Sequence, residues 1–358
     1  MEKRILITIG HPAHVHYFKN AVRILKSKGW EALFFIRDRE CIIDLVNKLD
    51  FKYICYGKGG SNLFSKMVDI PIIDYKLLKV ALKFKPDYFL SFASPYAAHV
   101  ATILRIPHIA FDDTEHAKLG HLLYQPFSDV ILSPYVWNSK LHKRQYLFHS
   151  FMELFYLHKN YFIPEKDCLR TIGLTNDDKF CVIRFISWNA NHDVGVKGLS
   201  VNDKNRIVKE LSKRCKVFIS SESQLPKELE NYKLTTDPSL FHSVMSAATL
   251  CISEGSTTAS ESALLGTPTI YVNPLKVSNC DEEEKYGLLY QTKKADDIIL
   301  KSLDILSTPN VKNQYKIKRD RLLSQMIDGT AFLTWFMENY PESKKIIKEN
   351  PDYQYIFK

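Results

Sequence analysis

A glycine turn followed by hydroxyl side chains is the strongest candidate binding site in the sequence. Residues 251–268 have the pattern of a strand, a tight turn at Gly255, a helix that begins with Ser256 and Thr257, and a second strand. Backbone N–H groups and the helix dipole make a helix start a binding site for anions. We therefore expect a diphosphate there, with Glu261 one turn further on accepting hydrogen bonds from ribose hydroxyls. An ordinary capped helix with a solvated Glu261 explains the same pattern.

Three histidines follow the first predicted strand. His11, His14 and His16 lie within six residues of one another. An ordinary histidine pKa of ~6.5 suits a general base, and we expect His14 to be that base and His11 to be the second choice. His16 is expected to pack inside a helix. A zinc site would need a further Cys or acidic partner that the local sequence lacks, and three structural histidines at a helix start remain the alternative.

Two further groups of polar residues follow predicted strands. Asp113 and Glu115 are candidates for binding an acceptor hydroxyl or for acid/base chemistry, although acidic residues after a strand also cap helices. Arg184 and Ser187 are candidates for phosphate binding, because Arg offers charge-assisted and bidentate contacts. The alternative for Arg184 is a buried guanidinium that satisfies carbonyl groups. The remaining candidates are His192 for the sugar or pyrophosphate, or for a turn before Gly195, and Ser94 and His99 for the lining of the first site.

Short β-rich runs alternate with amphipathic segments in both halves of the chain, which is typical of parallel sheets covered by helices. Strands are predicted at 4–9, 32–36, 53–56, 87–92, 108–111, 129–132, 180–185, 217–220, 250–252 and 269–272. Helices are predicted at 15–28, 72–84, 95–104, 202–214, 238–247, 257–265 and 313–340. We expect Rossmann-like domains at 1–150 and 151–330, and a helical tail at 331–358 that packs back towards the first. Ligands should bind at the carboxyl ends of the strands, in a cleft between the two domains.

Composition excludes several classes of protein. The 358 residues are 45% hydrophobic and 25% charged, without a biased tract, so the whole chain should fold. No run reaches the ~18 apolar residues of a membrane span. The seven cysteines are widely spaced without a C-x-x-C pair, which indicates reduced thiols in a cytoplasmic protein. A net charge of +9 without stacking or groove-reading motifs favours a solvated basic surface over nucleic-acid binding, and leaves contact with an anionic membrane open.

The turn at Gly255, Glu261 and the following Gly266-Thr267-Pro268 resemble the donor-site motif of GT-B enzymes. That motif occurs in the UDP-N-acetylglucosamine 2-epimerases and in the peptidoglycan N-acetylglucosaminyltransferase. Residues 240–248 are similar to the segment that packs beside uracil in that group, which implies donor contacts for Phe241 and His242. The run HPAHVHYFKN at 11–20 together with 184–193 resembles, over nearly the full chain, a family of bacterial and archaeal proteins assigned to the GT-B superfamily and found with surface-polysaccharide genes.

The resemblance implies two Rossmann-like domains facing each other across a cleft, the first for the acceptor and the second for a nucleotide-sugar donor. The epimerases carry a carboxylate after one strand of the first domain, where this chain has Phe92-Ala93-Ser94-Pro95. We therefore expect an inverting glycosyltransferase without metal or other cofactor. It would use a UDP-sugar donor and a glycan or lipid-linked glycan acceptor, in the cytoplasm or peripherally at the inner membrane face. The alternatives are a UDP-sugar 2-epimerase or hydrolase, and a nucleotide-sugar-binding protein without turnover.

Overall fold

The computed structural model describes residues 2–39, 41–60, 63–186, 198–273 and 275–358, with only the backbone of residues 63–67. The chain forms two compact units. Unit 1 comprises Met1–Tyr156 and Met326–Lys358, and unit 2 comprises Leu157–Gln325. The sequence placed these boundaries at 150 and 330.

Unit 1 contains a parallel sheet of seven strands in the order β3-β2-β1-β4-β5-β6-β7. Its central strands are mostly apolar and buried because helices cover parallel sheets on both faces. The order reverses between β1 and β4, which are neighbours near the centre of the sheet. From β1 the following strands continue towards one edge, and from β4 they continue towards the other. The strands are β1 Arg4–Ile9, β2 Glu31–Ile36, β3 Tyr53–Cys55, β4 Tyr88–Phe92, β5 His108–Phe111, β6 Val130–Pro134 and β7 Gln145–Phe148.

Two of the longer helices of unit 1 begin where the sequence provides a side-chain cap. His11 caps α1 and Ser94 caps α4, and each is followed by a proline at the first helical position. The predicted helix at 72–84 was too short, because the structure begins this helix at Leu63 and continues it through Pro71, a residue that usually ends or kinks a helix. The helices are α1 Pro12–Ser27, α2 Ile42–Lys48, α3 Leu63–Phe84, α4 Pro95–Leu104, α5 Lys118–Tyr124 and, at the unit boundary, α6 Leu154–Leu157.

Unit 2 contains a parallel sheet of five strands in the order β12-β11-β10-β8-β9, so the order reverses between β8 and β10. Ile183, Ile219, Ile252 and Ile270 are buried in one apolar cluster that spans four of these strands. The strands are β8 Phe180–Phe185, β9 Lys216–Ser221, β10 Leu250–Ser253, β11 Thr269–Tyr271 and β12 Leu289–Gln291. The helices are α7 Val201–Leu211, α8 Phe241–Ala247, α9 Ser256–Leu264, α10 Ser278–Lys285, α11 Ala295–Ser307 and α12 Val311–Leu323.

The C-terminal residues return to unit 1 as α13 Gly329–Glu338 and α14 Glu342–Glu349. The helical stretch predicted at 313–340 is divided into two helices, because Asp328 accepts a hydrogen bond from the Ala331 N–H and starts a new helix after α12 ends. A Cβ atom at Gly329 would overlap the Phe155 ring, so glycine permits this close approach. Short 3-10 helices lie at Gln125–Phe127, Arg170–Ile172, Lys227–Tyr232, Pro238–Leu240 and Pro351–Phe357.

Candidate functional site

His14 lies where the strand order of unit 1 reverses. It follows β1, and its ring stacks on Phe92, the last residue of β4, with the ring centroids 4.6 Å apart. The Gly10 N–H donates to His14 Nδ1 over 3.4 Å. Burial first, and then the charges of His11 and Arg39, lower the pKa of His14 well below its ordinary value of 6.5. The ring is therefore neutral at pH 7 and carries its proton on Nε2.

The other two histidines of this run have local partners. His11 Nδ1 accepts a hydrogen bond from the Ala13 N–H over 3.2 Å, which is the N-cap of α1. His16 Nδ1 lies 3.3 Å from Lys19 Nζ, and its ring contacts Tyr156 at a centroid distance of 5.2 Å. His11 is thus both a helix cap and a neighbour of His14, with ring centroids 5.8 Å apart.

Asp113 follows β5 and is half-buried. The Thr114 hydroxyl donates to its Oδ1 over 3.1 Å. Burial first, and then the negative charge of Asp112, raise the pKa of Asp113 to about 7. This carboxyl group therefore exchanges its proton near neutral pH, which is the property that acid/base catalysis requires.

Asp112 is the centre of a buried network that the sequence did not indicate. Its carboxylate accepts hydrogen bonds from the Tyr124 hydroxyl and, over 2.8 Å, from the Thr114 N–H. His121 Nε2 lies 3.1 Å from Asp112 Oδ2, the oxygen that also accepts from the Tyr124 hydroxyl, and this bond raises the pKa of His121. The network holds the negative charge of Asp112 beside Asp113, so it accounts for part of the shift in the Asp113 pKa.

Three other residues expected at this site make structural contacts. Glu115 Oε1 accepts a hydrogen bond from the Asn138 N–H over 2.7 Å. Ser94 caps α4. His99 Nδ1 lies 2.8 Å from Asp74 Oδ2 and His99 Nε2 lies 2.9 Å from the Leu123 carbonyl oxygen, so this side chain joins α3, α4 and α5.

Gly255 lies where the strand order of unit 2 reverses. It follows β10 and is the N-cap of α9, without a side chain that accepts hydrogen bonds from the first turn. The backbone N–H groups of Ser256, Thr257 and Thr258 therefore start this helix without a side-chain cap. A Cβ atom at Gly255 would lie 3.1 Å from Ile186 Cγ2, so glycine keeps the end of β10 close to the end of β8. This arrangement can bind an anion.

His242 and Glu261 form a buried pair behind this helix start. His242 Nε2 lies 2.9 Å from Glu261 Oε1. The His242 ring also contacts Phe241 and Phe162, at centroid distances of 5.9 and 6.2 Å. The structure thus brings together α8 and α9, which both carry residues that the resemblance implied for the donor.

Arg184 points along the end of β8 towards β9. Its Nη1 donates to Ser220 Oγ over 2.8 Å and its Nη2 donates to Glu222 Oε1 over 2.9 Å. These bonds fix the guanidinium beside the last residues of β9. Ser187 and His192, the other two predicted donor residues of this region, lie outside the described residues.

Glu254 is a site residue that sequence reasoning missed. Its buried carboxylate accepts hydrogen bonds from the Ile186 N–H over 3.1 Å and from the Leu199 N–H over 2.9 Å. Lys204 Nζ lies 3.7 Å from the same carboxylate. Glu254 therefore ties the start of α9 to both chain segments that flank residues 187–197. An acidic residue directly before the glycine turn was the available signal.

Two kinds of feature are absent among the described residues. No group of three or more His, Cys, Asp or Glu side chains among them could hold a metal ion. None of the helices in this part of the chain combines the length and apolar character that crossing a bilayer requires.

Comparisons with known proteins identify the family and the fold. The model of the family described as "Protein of unknown function (DUF354)" matches residues 3–331. An uncharacterised protein of Methanocaldococcus jannaschii is 25% identical over 291 residues, which is 78% of this chain and 84% of that protein. MnaA of S. aureus, solved with UDP, superposes with a TM-score of 0.70 at 11% identity and covers 96% of this chain and 98% of its own.

Two further solved structures with a similar fold are a 2-epimerase and a glycosyltransferase. The UDP-GlcNAc 2-epimerase of Neisseria meningitidis, bound to UDP-GlcNAc, has a TM-score of 0.63 at 12% identity and covers 97% of this chain and 98% of its own. The spinosyn forosaminyltransferase SpnP has a TM-score of 0.64 at 12% identity, with 94% and 99% covered. At these identities the likeness establishes the fold, which is GT-B with two Rossmann-like domains.

Proposed function

The chain belongs to the DUF354 family, and we propose that it is an inverting glycosyltransferase that uses a UDP-sugar donor. The start of α9, which has no side-chain cap at the strand reversal of unit 2, is the observation that carries the proposal. Ligands of open α/β sheets bind where the strand order reverses, and a helix start there suits a diphosphate. The solved structures of S. aureus MnaA with UDP and of the Neisseria epimerase with UDP-GlcNAc support a uridine donor.

In this proposal unit 2 binds the donor. The diphosphate lies on the N–H groups that follow Gly255, with the hydroxyls of Ser256 and Thr257 as further donors. Glu261 accepts hydrogen bonds from the ribose, and its bond to His242 orients it. The helix dipole stabilises the leaving diphosphate, so the reaction needs no metal ion. Arg184, Ser187 and His192 complete the proposed donor contacts.

In the same proposal unit 1 supplies the proton chemistry. Asp113 accepts the proton of the acceptor hydroxyl, because its pKa of about 7 makes it a base that is half ionised at neutral pH. His14 is neutral and donates a hydrogen bond from Nε2 to an acceptor oxygen, because its Nδ1 accepts from Gly10. If the acceptor hydroxyl displaces the Gly10 N–H from His14 Nδ1, His14 is the base instead. His11 then assists by capping α1, the helix that carries His14.

The acceptor is proposed to be a glycan or a lipid-linked glycan of a surface polysaccharide. A lipid-linked acceptor would bring a cytoplasmic enzyme to the inner face of an anionic membrane. A UDP-sugar 2-epimerase or hydrolase is the second candidate, since 2-epimerases share the fold. Altered sugar or UDP formed without any acceptor would identify that second activity, and UDP binding without turnover would identify a binding protein.

Calorimetric titration without magnesium tests the donor site. We expect UDP to bind in preference to GDP, CMP and dTDP, and Glu261→Ala to weaken UDP binding by at least roughly tenfold. Glu228→Ala, at an exposed position of the same unit, is the matched control and should bind like the wild type. Absence of binding by all four nucleotides, or equal binding by Glu261→Ala, would exclude the proposed donor site.

A further inference from the structure

The outward side of α3 carries an apolar stripe. Val68, Ile72, Tyr75 and Leu82 are 50%, 49%, 58% and 57% exposed. They are spaced by four, three and seven residues. At ~100° per residue they lie within roughly 80° of arc on one side of the helix. A stripe of large apolar side chains at this spacing is the pattern that a helix normally turns towards a partner.

The opposite side of α3 is already used by the core of unit 1. Ile73, Leu77 and Ala81 are buried in an apolar cluster with residues of β1, β2, β4 and α4. The helix is therefore apolar on both sides. Since the inner side accounts for packing on the sheet, the outer stripe requires a separate explanation.

The two neighbouring helices also carry exposed apolar side chains. α4 packs beside α3, and α5 packs beside α4. His99 fastens the three helices together through its bonds to Asp74 of α3 and to the Leu123 carbonyl oxygen of α5. Ile103 of α4 is 62% exposed and Leu122 of α5 is 70% exposed. We name Val68, Ile72, Tyr75, Leu82, Ile103 and Leu122 the α3–α5 surface.

The exposed charges in the stretch of chain that carries this surface are mainly positive. Among residues 68–127 the acidic side chains mostly have partners within the unit: Asp69 accepts from the Gly60 N–H and Asp74 contacts His99. Asp87 is exposed, and it accepts from the Arg4 N–H over 2.7 Å. The exposed basic residues of the same range are Lys76, Lys79, Lys83, Lys85, Arg105 and Lys118. Six exposed basic residues against one exposed acidic residue make this face attractive to anions.

We propose that the α3–α5 surface docks on an anionic lipid bilayer. An apolar stripe bordered by lysines is the arrangement by which helices lie in the interface of an anionic membrane. A twofold dimer through the same face would place the basic residues of one copy against those of the other. Single-stranded nucleic acid would be expected to stack on aromatic side chains, whereas this stripe is mainly aliphatic. This inference rests on the proposed function, because a lipid-linked acceptor is the reason for the enzyme to dock on a membrane.

Flotation of the purified full chain with lipid vesicles tests the proposal. We expect binding to vesicles of phosphatidylcholine mixed with phosphatidylglycerol and little binding to phosphatidylcholine alone. Binding should weaken as salt is raised, because salt screens the lysine charges. Equal binding to both kinds of vesicle, or binding to neither, would overturn the proposal.

Variants locate the contact. The pair Ile72→Gln and Leu82→Gln should weaken binding roughly tenfold, because two half-exposed side chains no longer enter the bilayer interface. The pair Lys79→Gln and Lys83→Gln should weaken it roughly 25-fold, at roughly fivefold for each lysine. Leu300→Gln on α11, at a position 67% exposed, is the apolar control. Lys209→Gln with Lys316→Gln, both exposed in unit 2, is the charge control.

Two outcomes of these variants would contradict the membrane contact. If the control variants lose as much vesicle binding as the α3–α5 variants, the binding depends on the overall charge or hydrophobicity of the protein and not on this surface. A concentration-dependent dimer of the wild type that Leu82→Gln abolishes would show that a second copy covers the surface. UDP titration of the same samples distinguishes failure of the donor-site proposal from failure of the membrane proposal. Vesicle binding without UDP binding would overturn the donor site alone, and UDP binding without vesicle binding would overturn this inference alone.

Discussion

Units 1 and 2 both place candidate residues after the carboxyl ends of parallel strands, but the groups in the two units differ in kind. In unit 1 they are side chains whose pKa values are shifted, with His14 lowered well below 6.5 and Asp113 raised to about 7. In unit 2 they are the backbone N–H groups of α9 and a buried pair between His242 and Glu261. One topology therefore presents groups suited to proton transfer in one unit and groups suited to anion binding in the other.

The difference follows from what each helix start carries. In unit 1 the side chain of His11 caps α1, so the helix start is already satisfied and the neighbouring titratable groups remain for chemistry. In unit 2 the cap is a glycine, so the helix start itself is available to a ligand. The comparison predicts that substitutions in unit 1 change the rate of transfer, and substitutions in unit 2 change donor affinity or stability.

Asp113→Asn should have the largest effect. We expect transfer to slow by roughly 100 to 10,000-fold with UDP affinity unchanged, because the amide cannot accept the proton. The wild-type rate should rise with pH through about 7 as Asp113 ionises, and the variant should lose this rise. Measurement of initial rates against pH, together with UDP titration, checks both parts.

Asp50→Asn is the control for that substitution. Asp50 is exposed and has a positive φ of 53°, which Asn tolerates, so both rate and stability should be retained. A small effect of Asp113→Asn combined with loss of transfer in His14→Asn would instead identify His14 as the base.

Glu283 is a titratable group of unit 2 that we expect to affect stability and not UDP binding. Its fully buried side chain accepts a hydrogen bond from the Ser260 hydroxyl of α9, and burial raises its pKa to about 8. The folded protein therefore keeps a proton between pH 4.5 and 8 that the unfolded chain releases. Stability from this group is present below 4.5 and falls as pH rises to about 8.

Glu283→Gln should remove this pH dependence. We expect the free energy of unfolding of the variant, relative to the wild type, to increase by about 4 kcal/mol between pH 5 and pH 9. UDP affinity should be unchanged, since the group lies on the α10 side of α9. Urea unfolding at several pH values measures the first quantity. A parallel pH dependence of wild type and variant would show that Glu283 is ionised in the folded protein.

Glu254→Gln should affect stability more than chemistry. The carboxylate accepts from two backbone N–H groups, Ile186 and Leu199, and an amide oxygen can replace it for only one of them. We expect a loss of about 2 kcal/mol in the free energy of unfolding of unit 2. Glu228→Gln is the exposed control. Equal urea midpoints for the two variants would mean that Glu254 does not hold the ends of this segment.

The sequence predicted those parts of the site that depend on neighbours along the chain. Strands β1 and β8 were predicted with their observed bounds because each is a continuous apolar run. The turn at Gly255 was found because glycine and hydroxyl residues mark a helix start locally. Strand β7 was missed, since its four residues have neither a long apolar run nor a turn signal on both sides.

The unpredicted parts depend on partners that are distant in sequence. Asp112 meets His121 and Tyr124 only because α5 returns over the end of β5. Glu254 reaches Leu199, which is 55 residues away along the chain. A carboxylate that shifts a neighbour's pKa and one that ties two segments together look alike in sequence, so only the fold distinguishes them.

Gly255→Ala should have the smallest effect and should sharpen the comparison most. The φ of Gly255 is −95°, which alanine adopts freely, so the backbone itself is not strained. The added Cβ would lie 3.1 Å from Ile186 Cγ2, so the start of α9 or the end of β8 must shift by a few tenths of an ångström.

If the N–H groups of this turn hold the diphosphate, Gly255→Ala should bind UDP roughly tenfold more weakly, equivalent to about 1.4 kcal/mol. Gly120→Ala, whose nearest neighbour is the Ala117 Cβ at 3.7 Å, should bind UDP like the wild type. Unchanged affinity in Gly255→Ala with affinity lost in Glu261→Ala would keep the nucleoside in unit 2 but move the phosphates away from the helix start.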